Sequence, residues 1–406
     1  MQQEAAIGLE AIYQRIGTGP VSAEALTSPE IYEQERTQVF GRMWLKVGRV
    51  EEIPAAGDYK IKRLDVANTA AILSRGKDGV VRAFHNICPH RGNKILPETG
   101  NETFGRARGH SLTCRFHGWV FDSSGPLRML PREDRFPEKM DHNCFGMRAI
   151  HCDIWEGFIF INLADTPEQS LADYLGGIGR HFAGFPYGEA TYARRYSTVL
   201  DCNWKIALYA FSEGYHVETI HAATFPKLAV LVHTEFKTFG PHSSSAIYVP
   251  PGGAGPTPAT AKFGEVLFRS ETHGRRLQDL PPTVNTERRN DFQFEFPVFF
   301  PNLVLHACAG SGYPGMVYFS HQFWPLGPDK TLWEGTNFYR QPTTPSELVA
   351  INHTDALHRN AWLEDTSTME DTDAALRSGV LDQLYLMDDE VMIRNTQFHI
   401  DACLAR

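Results

Sequence analysis

The chain has 406 residues, of which 42% are hydrophobic and 21% charged, and its formal net charge is −9. This is an ordinary globular balance that permits a sizeable core, and the length predicts roughly two to three domains. The acidic balance argues against nucleic acid and anionic membrane as partners, and no apolar run reaches transmembrane length.

The start, Met1-Gln2-Gln3-Glu4, has neither a basic n-region nor a long apolar h-region. A cytoplasmic protein is therefore expected. Ser28 suits an N-cap, Pro29 the first helical position, and Glu30 and Glu33 the positive end of a helix dipole. Ile31, Tyr32, Val39, Phe40 and Met43 supply apolar positions near helical spacing.

From about Trp44 to Ile161 the pattern changes to short strands punctuated by Gly and Pro. Ala70-Ala71-Ile72-Leu73 and Val80-Val81-Arg82-Ala83-Phe84 flank Lys77-Asp78-Gly79, a hairpin signal. A small antiparallel β domain is predicted. Two Cys/His pairs lie inside it, Cys88-Pro89-His90 and Cys114-Arg115-Phe116-His117. With seven Cys and 17 His in the chain, chance supplies roughly 0.3 such pairs at any one fixed spacing. One pair is weak evidence; two in one small domain are strong. Two thiolates on one iron and two imidazoles on the other make a Rieske [2Fe–2S] cluster. A structural zinc site also uses Cys2His2, usually with Cys–Cys first and His–His later. Here each loop gives one of each. Pro89 stiffens its loop, and Gly92 and Gly118 permit tight turns that turn backbone N–H groups inward. Seven cysteines, an odd number in a long chain, do not make a disulfide framework. The remaining ones, Cys144, Cys152, Cys202, Cys308 and Cys403, are expected to be small buried thiols.

Asn203 to His221 has helical character and holds Glu213, His216 and His221. Two His and a distant carboxylate form a facial triad for non-haem Fe(II), with positions left open for O2 and substrate. Glu213 and His216 are three apart and share a helix face. His216 and His221 are five apart, far around a regular helix. Joint ligation requires a π-type distortion or a helix end, predicted near Val217 to Ile220. Residues 240 to 262 are rich in Gly, Pro and Ser and predict a loop of the kind that forms lids. Strands are predicted near Phe292–Phe300, Leu303–Ala309, Met316–Phe323 and Thr331–Tyr339, and helices over 345 to 376 and Asp382–Ile400. Gly310-Ser311-Gly312-Tyr313-Pro314-Gly315 fits a dinucleotide-binding pattern, but Pro314 and a following strand make it a turn. With no flavin or nicotinamide site evident, electrons must come from a separate protein.

Cys88-Pro89-His90-Arg91-Gly92 and Cys114-Arg115-Phe116-His117-Gly118-Trp119 resemble the two cluster loops of Rieske ring-hydroxylating oxygenases, in their catalytic α subunits. Phe40 to Gly57, with Trp44 and Ile53-Pro54-Ala55-Ala56-Gly57-Asp58, is similar to the entry to that family's Rieske domain. Asn203-Trp204-Lys205 with Glu213, His216 and His221 resembles its iron motif. The resemblance runs from about residue 28 to the end and is weakest between 240 and 290.

The resemblance implies an α+β protein. A Rieske antiparallel β domain, residues 44–161, is inserted into a helix-grip (START/Bet v1-like) catalytic domain made of residues 1–43 and 162–406. It implies a [2Fe–2S] cluster on Cys88, His90, Cys114 and His117, and a mononuclear Fe(II) on His216, His221 and an Asp. Thr368-Met369-Glu370-Asp371 followed by Gly379 is similar to the segment that carries the Asp. Asp371 is the choice, with Asp365 and Asp373 as alternatives. Glu213 would not bind iron but would link His117 of one subunit to His216 of its neighbour, orienting both imidazoles. Tyr209-Ala210 departs from the family's frequent Glu-Asn, so any role of that amide is lost or passes to Tyr209. The implied activity is hydroxylation, dihydroxylation or oxidative dealkylation of an aromatic or other apolar small molecule, as in aromatic hydrocarbon catabolism. It uses O2 and a separate NAD(P)H-dependent reductase, with or without a ferredoxin. A homotrimer, with or without a β subunit, is implied. A Rieske-type electron-transfer protein with a degenerate catalytic domain and a zinc-dependent hydrolase are the competing classes.

Overall fold

Alternation of apolar and polar residues assembles the first unit from antiparallel strands. In the computed structural model, which describes residues 8–222, 224, 233–248, 280–289, 291–308 and 316–406, this unit is Phe40–Tyr174. Its main sheet uses Leu45–Arg49 (β1), Asp58–Leu64 (β2), Thr69–Arg75 (β3), Val81–His85 (β4) and Glu102–Arg106 (β5). Ser111–Thr113 (β6), Val120–Asp122 (β7) and Leu127–Met129 (β8) form a separate three-stranded sheet, and Ala149–Trp155 (β9) and Phe158–Asn162 (β10) rejoin the first. The main order is β1-β10-β9-β4-β3-β2-β5. The hairpin predicted at Lys77-Asp78-Gly79 joins β3 to β4, with Ile72 opposite Phe84 and Leu73 opposite Ala83. Ile72, Phe84, Ile95, Leu112, Trp119 and Phe121 pack with Cys88 and Cys114 in one buried cluster. Both Cys/His loops are thus rooted in the core of this unit.

The second unit comprises the segments up to Val39 and from Leu175 onward. Its seven-stranded sheet uses Tyr192–Leu200 (β11), His233–Phe239 (β12), His242–Tyr248 (β13), Phe292–Phe299 (β14), Leu303–Cys308 (β15), Met316–Gly327 (β16) and Lys330–Tyr339 (β17). The order is β11-β17-β16-β15-β14-β13-β12, antiparallel throughout. Its helices include Leu9–Ile16 (α1), Pro29–Glu35 (α2), Trp204–Ala210 (α3), Val217–Ile220 (α4), Pro345–Leu376 (α5) and Val391–Leu404 (α6). Ser28 caps α2 by accepting from the Ile31 N–H, with Pro29 at the first position. Thr344 caps the 32-residue α5, in a capping box with Glu347. Helix α5 packs against α3 and β11, and α6 against β12 and β13.

Several sequence expectations change. The segment predicted as a loop from 240 begins instead with β13, all seven residues of which are buried. The remainder of that loop, and the turn expected at 310 to 315, lie outside the described residues. The last helix begins only at Val391, because Gln383–Leu384 pairs as a short strand with Val21–Ser22. Cys202 and Cys403 are buried, but Cys144 is exposed on a turn and Cys152 is half-buried on a strand. The side chain of Cys308 is outside the described residues.

Candidate metal centres

The two Cys/His loops share one design. The Cys88 N–H donates to the Asn93 carbonyl and Gly92 N–H returns to the Cys88 carbonyl; the Cys114 N–H donates to the Trp119 carbonyl and Gly118 N–H returns to Cys114. Gly92 and Gly118 both have φ of 75°, in the left-handed region that a side chain would disfavour. Each turn folds the chain back over its own cysteine. The thiols are buried while His90 is half-buried and His117 exposed. The two imidazoles lie 4.6 Å apart between ring centres. The indole of Trp119 stacks on His90 at 4.9 Å and 9°. Asn93 ties the loops together by donating to Cys114 Sγ at 3.8 Å. Burial pushes the Cys88 thiol up to about 11, partly offset by the His90 N–H. Cys114 is lowered: burial opposes this, but the N–H groups of Phe116 and His117 and the Asn93 amide outweigh it. Such N–H groups favour the thiolate.

The second site is built from a helix break. Asn203 caps α3 by accepting from the Lys205 N–H. Trp204 and Lys205 both reach the buried Glu35 of α2, Nε1 at 2.8 Å and Nζ at 2.5 Å. Burial lowers the Lys205 pKa, and Glu35 opposes that shift. Helix α3 ends at Ala210, and the chain resumes helix only for the single turn of α4. His216 is the N-cap and His221 the C-cap of that turn. The discontinuity expected within 217 to 220 is thus centred on residues 211 to 216, and the two histidines bracket a short regular turn.

Glu213 closes this turn. Its carboxylate accepts from the N–H groups of Tyr215 and His216 and contacts His216 Nδ1. His221 Nδ1 donates to Glu364 Oε2 at 2.8 Å. Both imidazoles therefore present Nε2 inward, where Asp365 Oδ1 lies 2.9 Å from His221 Nε2 and 3.4 Å from His216 Nε2. Among the described residues, these three form the set of His, Cys and acidic ligand atoms lying within 4.8 Å of one another. Asp365 Oδ1 is buried yet has no partner in hydrogen-bond geometry. Ligand atoms about 3 Å apart, not aligned along N–H bonds, are what neighbouring positions around one cation at ~2.1 Å require. Two imidazoles and a carboxylate fit non-haem iron. Burial disfavours charge on His216, but Asp365 and Glu213 outweigh it and lift its pKa to about 10. The pair of histidines in turn holds the Asp365 carboxyl low, against the effect of burial. A cation at this point takes the place of those protons.

Asp371, the favoured carboxylate, stands outside this group. It is exposed. Six residues beyond Asp365 it lies ~240° around a helix of 3.6 residues per turn. Asp365 belongs to the buried face of α5 with His358, Ala361, Trp362 and Met369. Asp373, the other alternative, is occupied elsewhere: it accepts from the Asn203 N–H at 2.8 Å and pairs with Arg377. Tyr209 does not point toward the site, since its hydroxyl donates to Gln397 at 2.7 Å.

The family model for the Rieske [2Fe-2S] domain matches residues 43–145, and that for the ring-hydroxylating alpha subunit catalytic domain matches residues 188–406. The chain belongs to the Rieske ring-hydroxylating oxygenase α-subunit family. It is 30% identical to the α subunit of 2-aminobenzenesulfonate 2,3-dioxygenase from Alcaligenes sp over 311 residues, 75% of this chain and 70% of that one. It is 30% identical to the large oxygenase component of a naphthalene 1,2-dioxygenase system from Pseudomonas aeruginosa, over 58% of this chain and 50% of the relative. A carnitine monooxygenase oxygenase subunit from Acinetobacter baumannii is 30% identical over 48% of this chain and 50% of its own length. The fold matches naphthalene 1,2-dioxygenase from Rhodococcus sp., with a TM-score of 0.77, 20% identity and coverage of 100% and 99%. It also matches a quaternary ammonium Rieske monooxygenase, with a TM-score of 0.75, 20% identity and coverage of 97% and 98%.

As a Rieske oxygenase, the protein is an oxidoreductase whose cofactors are a [2Fe–2S] cluster and a mononuclear iron. No helix among the described residues is long and apolar enough to cross a membrane. Above His216, His221 and Asp365 opens a cavity lined by Phe211, Phe294, Phe296, Phe319 and Trp362. Three imidazoles, His306, His321 and His358, also line it. Burial takes His321 and His358 down to about 3, so they are neutral at ordinary pH. Neither these histidines nor Glu364 was singled out in the sequence. For Glu364 the available signal was its place beside Asp365 on α5; for the strand histidines, their alternation with buried aromatics gave none.

Proposed function

We propose that this protein is the terminal component of an oxygenase that hydroxylates, dihydroxylates or oxidatively dealkylates a small, neutral, aromatic molecule. The observation that carries this reading is the convergence of His216, His221 and Asp365 at an aromatic cavity. In it these three hold the iron, and Cys88, His90, Cys114 and His117 hold the cluster. The bound metals supply single electrons and activation of O2; the chain supplies placement and a dry pocket. Glu364 and Glu213 fix the ring orientations of His221 and His216. The aromatic rings bind a flat apolar substrate and exclude water.

Relatives carry names that span a sulfonate, carnitine and naphthalene. Among the described lining residues there is no Lys or Arg to pair with a sulfonate. The aromatic ring faces of Phe211, Phe294, Phe296, Phe319 and Trp362 suit a flat neutral aromatic, and they could also hold a quaternary ammonium by cation–π attraction. The neutral aromatic is the substrate class this reading adopts.

A cyclic homotrimer, with a separate NAD(P)H-dependent reductase, completes the reading. Its support is the exposure of His117, of Phe116 beside it (56%) and of Tyr215 beside Glu213 (60%). In the trimer Glu213 bridges its own His216 to His117 of the neighbouring subunit. The test is a product screen of neutral aromatics with a generic Rieske reductase and isotopically labelled O2. Labelled oxygenated product from a neutral aromatic is expected. Turnover confined to sulfonates or quaternary ammonium compounds would overturn the substrate class.

A further inference from the structure

His321, one of the imidazoles lining the cavity, carries a nitrogen that iron binding does not use. His321 sits on β16, opposite Gly335 of β17. A Cβ at Gly335 would lie 2.6 Å from the indole of Trp333. The missing side chain is what lets Trp333 lie across its own strand and donate Nε1–H to His321 Nδ1 at 3.2 Å. Indole nitrogen only donates, so Nδ1 must be the unprotonated nitrogen. A neutral imidazole then carries its hydrogen on Nε2. His321 is fully buried, and Nε2 has no hydrogen-bond partner among the described residues. The ring cannot turn to find one, because it stacks on Phe211 at 4.1 Å and meets the edge of Trp362 at 5.1 Å. Buried donors without acceptors are rare and call for an explanation.

His358 makes the contrast. Asn337 Nδ2 donates to Asp355 at 2.8 Å, which turns the amide oxygen toward His358 Nδ1 at 3.2 Å. The N–H of His358 is therefore used within the protein. That of His321 is not.

We propose that His321 Nε2–H is the specificity-determining donor of the cavity, binding a neutral oxygen acceptor, a carbonyl or ether, on the aromatic substrate. This rests on the oxygenase reading above and narrows its substrate class. Burial keeps the imidazole uncharged, so it offers a hydrogen bond and not a countercharge. With no Lys or Arg among the described lining residues and with Asp365 nearby, a carboxylate is disfavoured as the acceptor. A bare hydrocarbon leaves the donor unsatisfied.

The test compares acetophenone with α-methylstyrene, which replaces C=O by C=CH2 at nearly constant shape. Binding to the iron-loaded holoenzyme is measured by anaerobic calorimetry without reductant. The wild-type protein is expected to prefer acetophenone by about tenfold, the worth of satisfying one buried donor. His321→Phe should abolish that preference while α-methylstyrene affinity stays near wild type, which also reports an intact pocket. His321→Gln, whose amide N–H can occupy the Nε2 position, should retain part of the preference. Equal binding of the two probes, binding of neither by the wild type, or an undiminished preference in His321→Phe would overturn the proposal. The cluster spectrum and bound iron are recorded on the same preparation. If both are present, such a result removes only the role of His321; if they are absent, the oxygenase reading itself fails.

Discussion

Glu364 Oε2 accepts a hydrogen bond from His221 Nδ1 at 2.8 Å. The next residue along the same helix, Asp365, faces Nε2 of the same ring at 2.9 Å. Two successive carboxylates thus address opposite nitrogens of one imidazole. Glu364 fixes the tautomer, and Asp365 shares the inward face on which a metal would sit. Outer partners of this kind make a ligand more basic and hold its plane.

Glu364→Ala should therefore weaken Fe(II) binding ten- to a hundredfold. Titration of the iron-depleted protein against a competing chelator measures this. The cluster's visible spectrum should not change. An unaltered affinity would mean that the local packing alone orients His221.

Glu213→Ala should weaken Fe(II) binding as Glu364→Ala does and, in protein reloaded with saturating Fe(II), slow electron delivery between subunits. The readout is reoxidation of the pre-reduced cluster after addition of O2 and substrate. A loss of tenfold or more is expected if the carboxylate bridge is the route, since misplacement at such a junction costs on the order of a hundredfold in rate. Wild-type single-turnover rates would end the bridging role.

The Glu35–Lys205 pair is fully buried, with Trp204 as a third partner. Removing one member strands a charge in the core that positions α3. Lys205→Met should cost roughly 3–5 kcal/mol in denaturant unfolding. Combining it with Glu35→Leu should recover much of that loss, because no charge is then left buried.

Glu295 is buried on β14 and accepts from His181 at 2.8 Å, Ser244 at 2.8 Å and Lys237 at 3.1 Å. Burial raises its pKa, but His181 and Lys237 outweigh burial and bring it from 4.5 down to about 2. A carboxylate lowered on folding contributes stability that is complete above its unfolded value and disappears as pH falls toward the folded one. The contribution should therefore vanish between about pH 4.5 and 2. Glu295→Gln should be less stable at pH 7 and show a flatter acid limb. An unchanged acid limb would place the effect elsewhere.

Much of this was legible in the sequence. The spacing within Cys88-Pro89-His90 and Cys114-Arg115-Phe116-His117 is local, so each loop's geometry follows from its own Gly and turn. The ladder of strands and the long helix α5 were likewise visible in apolar periodicity. For the third carboxylate a motif register favours Asp371, whereas the structure groups the alternative, Asp365, with His216 and His221 through helix phase. His358, Trp362, Asp365 and Met369 recur at three or four residues and mark the buried face. Phase alone does not suffice, since Asp373 shares that face; it lies about 12 Å further along the helix and is bonded to Asn203 and Arg377. His321 was illegible for a different reason. Its importance depends on a cross-strand neighbour, Gly335, and on an indole two residues away from that glycine. Such pairings appear only once the register is known.

We propose His216, His221 and Asp365 as the ligands of the mononuclear iron. Asp365→Ala and Asp371→Ala, compared side by side for bound mononuclear iron, test this most directly. Asp365→Ala should lose that iron while keeping the Rieske EPR signal of the reduced cluster, and Asp371→Ala should keep both. Retention of the iron in Asp365→Ala, with its loss in Asp371→Ala, would make Asp371 the ligand and exclude Asp365.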